Sequence, residues 1–145
     1  MKENYELMEC IYKDAEMSVY TLSCLTEDLK NKDNKIKKLL EDILKEYKEW
    51  EKKSAKYLEK GNKEPLNNGI MTKMMANIGI KKEVISDNSD SSIAKMLIKG
   101  VSTGSVDMEK RIKAYDKDVD KSDIKTAEEF LRFQQKTIDR LKEYL

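Results

Sequence analysis

A cluster of chain-breaking residues divides this sequence into two halves. Between positions 61 and 91 stand the only proline, Pro65, the glycines Gly61, Gly69 and Gly79, the pair Asn67-Asn68, and the polar run Ser86-Asp87-Asn88-Ser89-Asp90. Proline fixes φ and lacks an N–H, glycine accepts positive φ, and Asn and Asp bond their own backbone, so such a stretch cannot continue a long regular element. On each side lie two long helical patterns joined by a few polar residues. The layout is helix pair, long connection, helix pair.

The first pattern spans about 4–30. Its apolar residues Met8, Ile11, Tyr12, Ala15, Val19, Leu22, Leu25 and Leu29 recur at steps of three and four, a broad stripe on one helix face. Asn31-Lys32-Asp33-Asn34 ends it, and Asp33 or Asn34 is expected to cap the next helix. That helix spans about 35–60, with Ile36, Leu40, Ile43, Tyr47, Trp50 and Tyr57 inward and Gly61 placed as a C-terminal glycine. The third opens at the capping cluster Asp90-Ser91-Ser92, and its stripe runs Ala94, Leu97, Val101, Met108, Ile112, Tyr115, Val119. After a polar turn at 118–122, the fourth spans about 123–144, with Ile124, Ala127, Leu131, Ile138, Leu141 and Leu145. Inside the connection Met71, Met74, Met75 and Ile78 keep helical spacing. A short amphipathic helix over 69–78, docked with its methionines inward, is expected there. No strand-like alternation competes anywhere.

Length and charge set the class. A chain of 145 residues makes one domain, 1–145. Charged residues are 39% of it, yet the net charge is +1. The lysines of Lys35-Ile36-Lys37-Lys38 and of Lys52, Lys53 and Lys56 are interleaved with Glu as a solvated helix face, so neither nucleic acid nor a membrane surface is an expected partner. No apolar run reaches the length that spans a bilayer. Cys10 and Cys24 lie about 21 Å apart along one helix and cannot bridge each other. No histidine is present, and no zinc spacing. With no apolar leader at the N-terminus, the expected location is the cytoplasm.

Short, long, short connections predict an all-α, up-down-down-up four-helix bundle with the crossover between helices two and three, the ferritin-like arrangement. The chain also resembles the small bacterial ferritin-like proteins whose family is classed as of unknown function. The resemblance rests on Lys13-Asp14-Ala15-Glu16, on the turn from Pro65 to Gly69 and the helix after it, on Met108-Glu109-Lys110-Arg111-Ile112-Lys113-Ala114-Tyr115, and on Glu128 to Gln135 with Asp139-Arg140-Leu141. It implies the fold and a tie to the di-iron carboxylate superfamily. It implies no particular activity, and the superfamily's Glu-x-x-His motif is absent here.

A di-iron site needs carboxylates converging on the bundle middle. The metal candidates are Glu16, Glu46 and Glu128, which lie about 110°, 80° and 100° from the centres of their apolar stripes, on the flanks. Glu46-x-x-Glu49 keeps a spacing like that of the missing motif, but Glu49 points further outward. At mid-bundle, helix three offers Ser105 and Met108 instead of an acid. Gln134 sits in the fourth stripe, where a buried amide needs a partner, Ser105 or Tyr47 being nearest by level. Gly100-Val101-Ser102-Thr103-Gly104 interrupts helix three at a cost of about 1 kcal/mol per glycine, offset if a bulky neighbour such as Trp50 packs into the notch. The thiols lack an imidazole base, and no triad or phosphate loop exists.

Three functional expectations follow. The leading one is a non-enzymatic interaction or structural protein with a degenerate, metal-free centre, no cofactor, and a protein partner or self-association. The alternative is carboxylate-based iron binding or oxidation in the bundle core. A third is a carrier of a small apolar ligand at the glycine notch.

Overall fold

The computed structural model describes residues 5–61, 88–115 and 121–145. Four long α-helices account for most of them: α1 (Glu6–Asp28), α2 (Lys37–Lys60), α3 (Asp90–Ala114) and α4 (Lys121–Lys142). No strand occurs among the described residues. The expected helix over 69–78 and its methionines lie outside them.

The apolar stripes build one core. Leu7, Ile11, Ala15 and Leu25 of α1, with Leu29 just past its end, meet Ile36 just before α2 and Leu40, Ile43 and Leu58 within it, and Ile93, Ala94 and Met108 of α3 meet Ala127, Phe130 and Leu141 of α4. α1 packs most extensively on α2, and α3 on α4. Polar contacts fix how the two pairs meet. At one end Arg111 near the close of α3 reaches Glu6 at the start of α1, 3.1 Å away. The Tyr57 hydroxyl near the end of α2 donates to Asp123 Oδ1 at the start of α4, at 2.5 Å. At the other end Asn34, before α2, donates to Asn88 O and Asp90 Oδ1, at the start of α3.

Two local expectations are corrected, and Gly61 ends α2 as expected but without a left-handed backbone. Neither Asp33 nor Asn34 caps α2. Asp90 does so from across the bundle, its carboxylate accepting from the backbone N–H groups of Lys35 at 3.1 Å and Ile36 at 3.4 Å. α3 itself is capped one residue earlier than expected, by Ser89, whose hydroxyl accepts from Ser92 N–H at 3.1 Å. Gly61 has an ordinary φ of −87°, and its backbone lies under the Tyr5 ring, where an added Cβ would collide.

Trp50 is also placed differently. It packs edge-on against Phe130 at 5.1 Å, with Phe133 at 6.0 Å and Lys53 Nζ 5.1 Å above its ring. It is half-buried on the α2–α4 side. The notch in α3 belongs to other residues. The inner face of α4 is turned about one residue from the expected stripe: Asp123, Ala127, Phe130, Gln134, Thr137 and Leu141 are buried, while Leu131 and Ile138 are half-buried and Leu145 is exposed. Ala127, Gln134 and Leu141 are inward as expected; the rest of the expected stripe followed the most apolar residues, whereas the polar Asp123 and Thr137 are buried.

Candidate ligand cavity between the four helices

The polar middle of the bundle is built around Asp14. Its position beside the α1 stripe turns the carboxyl toward the other helices. Ser18, one turn on, donates to Asp14 Oδ1 at 3.3 Å. From α4, Gln134 Nε2 donates to Asp14 Oδ2 at 3.2 Å. Gly104 of α3 makes room for this bond. A Cβ there would stand 2.5 Å from Asp14 Oδ2 and 3.1 Å from Gln134 Nε2. Gln134 is thus satisfied on its amide nitrogen by Asp14, and neither Ser105 nor Tyr47 is its partner. Ser105 donates to Ser102 O within its own helix. The Gln134 carbonyl oxygen is buried and unbonded among the described residues.

Tyr47 of α2 completes this layer. Its ring stacks edge-on to Phe133 at 4.9 Å and to Phe130 at 6.4 Å. Its buried hydroxyl makes no well-formed hydrogen bond among the described residues, although Ser18 lies beside it. Burial, and next the nearby Asp14 carboxylate, push the phenol far above its usual range, so it stays a hydroxyl. Burial likewise pushes the Asp14 carboxyl up to about 6, with the Asp107 charge adding to the effect and the Ser18 hydrogen bond opposing it. Among the described residues no lysine or arginine is within ion-pair distance of Asp14.

From this layer a cavity of about 350 Å³ runs toward the end where α2 and α3 begin. All four helices line it. Buried Leu22, Ile43, Leu97 and Leu141 make its walls apolar, and Asp14, Ser18 and Tyr47 stand at its mid-bundle side. It is partly open to solvent where Met17 and Met96 are half-exposed and Gly100 is exposed. A Cβ added at Gly100 would meet nothing within 4 Å. The two glycines of α3 therefore do different things. Gly104 admits a hydrogen bond, and Gly100 leaves a gap.

No family model, curated protein or solved structure matches the chain. The site's meaning therefore rests on its own geometry.

The metal candidates occupy separate environments. Glu16 is buried, 7% exposed, and accepts from the Tyr12 hydroxyl at 3.3 Å. Glu46 is held by Arg140 in a 2.6 Å ion pair between α2 and α4. Glu128 is exposed on α4. Among the described residues no three His, Cys, Asp or Glu side chains converge where they could hold an ion. At the level of a di-iron centre the four helices contribute one carboxylate, one phenol, one amide and a bare glycine, and this donor set does not fit the group. The Cys10 thiol, donating to Asp107 Oδ2 at 3.7 Å, is raised to about 12, chiefly by burial, and is no nucleophile at neutral pH.

Asp14 escaped the sequence reading. It lies one helix step from Ala15, between Lys13 and Glu16, in what looks like a solvated run. The available signal was the i, i+4 pair Asp14–Ser18 on the edge of the stripe, level with Gln134.

Proposed function

We propose that this chain is a non-enzymatic binding protein that holds a small organic molecule between its helices, in a bundle whose centre is metal-free. The observation that carries it is the four-helix cavity: apolar walls, a gap left by Gly100, and a buried Tyr47 hydroxyl that, among the described residues, has only Ser18 beside it and no well-formed hydrogen bond. Ligand sites have this composition, largely apolar with a few polar groups to orient the guest. An unsatisfied buried hydroxyl costs about 1–3 kcal/mol, which a bound acceptor or donor relieves.

The same reading takes the connectivity to be up-down-down-up and the fold ferritin-like, of the small bacterial type. Its support is the pairing of Asn34 with Asp90 at one end and of Arg111 with Glu6 and Tyr57 with Asp123 at the other. The free thiols Cys10 and Cys24 suit a reducing cytoplasm. No helix among the described residues is long and apolar enough to cross a membrane. The acids available for the iron alternative are spread as described above, and no observation favours it.

The test uses a neutral apolar probe. Saturating toluene should raise the melting temperature of the wild-type protein by preferential binding to the folded state. Gly100→Leu, which puts a side chain into the gap, should abolish the shift. A wild-type melting temperature indifferent to toluene refutes the reading.

A further inference from the structure

The cavity is not evenly apolar. Its mid-bundle side carries an acid, and the surroundings of that acid are incomplete. Asp14 receives two neutral hydrogen bonds, from Ser18 and Gln134, and has no cationic partner among the described residues. Asp14 is half-buried, and a carboxylate drawn even partly out of water is normally matched by a positive group. Here the described helices supply none at ion-pair distance, while the space directly beside the carboxyl is a cavity.

The groups around Asp14 have been arranged by every helix. α2 presents the Tyr47 phenol, α4 the uncharged Gln134, and α3 the acidic Asp107. On α1 itself Cys10 and Lys13 border the outer side of Asp14, as does Arg111 from α3. Arg111 is already engaged, with Asp107 at 2.9 Å and Glu6 at 3.1 Å. Asp107 is itself paired with Arg111 and exposed, so the field inside the cavity at this level is set chiefly by the Asp14 carboxylate, with the Tyr47 hydroxyl beside it. A guest with a positive donor suits that field, and an anionic guest does not.

We propose that the ligand is a small hydrophobic amine, bound as its ammonium, with the charged nitrogen donating to the Asp14 carboxylate and the apolar body lying among Leu22, Ile43, Leu97 and Leu141. This rests on the reading of the bundle as a ligand-binding protein and adds the chemical class. Size agrees. The cavity is about twice the roughly 150 Å³ that accommodates benzene in an engineered protein interior, so a body of one ring with a short chain fits. The Tyr47 hydroxyl, which makes no well-formed hydrogen bond among the described residues, accepts a second N–H of the same ammonium. The apolar walls exclude polyamines and free amino acids, whose further charges would be stranded among leucines.

The experiment compares two probes of nearly equal shape, 2-phenylethylammonium and 2-phenylethanol, by calorimetry at pH 7.5. The amine should bind about tenfold more tightly, the factor by which a charge-assisted hydrogen bond exceeds a neutral one. Asp14→Asn should remove that preference and leave the affinity for the alcohol within about twofold. The wild-type protein at pH 5, with Asp14 protonated, should behave like the variant, a check that does not depend on the substitution being tolerated. Equal binding of the two probes by the wild type at pH 7.5 overturns the amine assignment while the binding-protein reading stands. Binding of neither probe, with toluene also failing to shift the melting temperature, overturns both. Persistence of the amine preference in Asp14→Asn and at pH 5 places the cation elsewhere and also overturns the assignment.

Discussion

Gln134 on the last helix donates to Asp14 on the first, 3.2 Å away, past a position on the third where Gly104 has no side chain. Three helices thus cooperate in one hydrogen bond. The pair defines the polar layer of the bundle, and the apolar cavity begins beside it.

The two glycines of α3 should respond oppositely to alanine. At Gly104 the new methyl displaces the Asp14 carboxyl and strands the buried Gln134 amide, a loss of about 2 kcal/mol. At Gly100 the methyl meets open space and the helix gains about 0.5–1 kcal/mol from better propensity. Urea unfolding of the two variants decides it. Changes of the same sign would contradict the separate roles.

Asp14 gives stability a definite pH dependence. Its folded-state value, raised to about 6, exceeds the roughly 3.9 of an unfolded carboxyl. The folded protein therefore keeps a proton that the unfolded chain has lost between about pH 4 and 6. This contribution is complete below about pH 4 and disappears as pH rises through about 6, an amount of about 2–3 kcal/mol. Asp14→Asn should consequently gain stability relative to wild type on going from pH 4.5 to 7.5. A wild-type–variant difference that is flat over this range is the contrary result.

Asp90→Ala should cost about 1–2 kcal/mol, because it uncaps a helix to which it does not belong. Amide exchange at Lys35 and Ile36 is the informative measurement. It should accelerate in this variant and not in Ser89→Ala, which disturbs only the start of α3.

The Glu46–Arg140 pair joins α2 to α4 at 2.6 Å with both side chains partly exposed. A double-mutant cycle of Glu46→Gln and Arg140→Met should give a coupling of about 0.5–1 kcal/mol, reduced in molar salt. A coupling indistinguishable from zero at low salt would mean that the pair does not hold these helices together.

For the metal-free centre the expected outcome is little iron. After aerobic incubation with ferrous iron and gel filtration, retention should fall far below the about two atoms per chain that a di-iron site requires. Retention at that level, lost in Glu16→Ala or Glu46→Ala, would instead support iron chemistry.

The helices were legible because each carries a long stripe at helical spacing, and a stripe of that length outweighs uncertainty at its ends. Rotation about each helix axis was harder to read. On α4 Gln134 faces inward as its place in the stripe predicts, but so do the polar Asp123 and Thr137, and weighting by hydrophobicity pulled the stripe toward Leu131 and Ile138. Trp50 was drawn to the notch by its size, when Phe130 and Phe133 on the neighbouring helix offered edge-on aromatic contact. Asp14 was hidden for a related reason. A single acid in a charged run looks solvated until the helices around it are in place, and the partner that marks it as interior lies 120 residues away.

Asp90 bears on the order of events when the chain is made. The turn that leads into α2 is closed by a carboxylate that follows Ile36 by 54 residues. A nascent chain ending before that carboxylate has the sequence of both early helices but only water for the N–H groups of Lys35 and Ile36. The turn that leads into α2 therefore gains these two acceptors only once the chain has been made past Asp90.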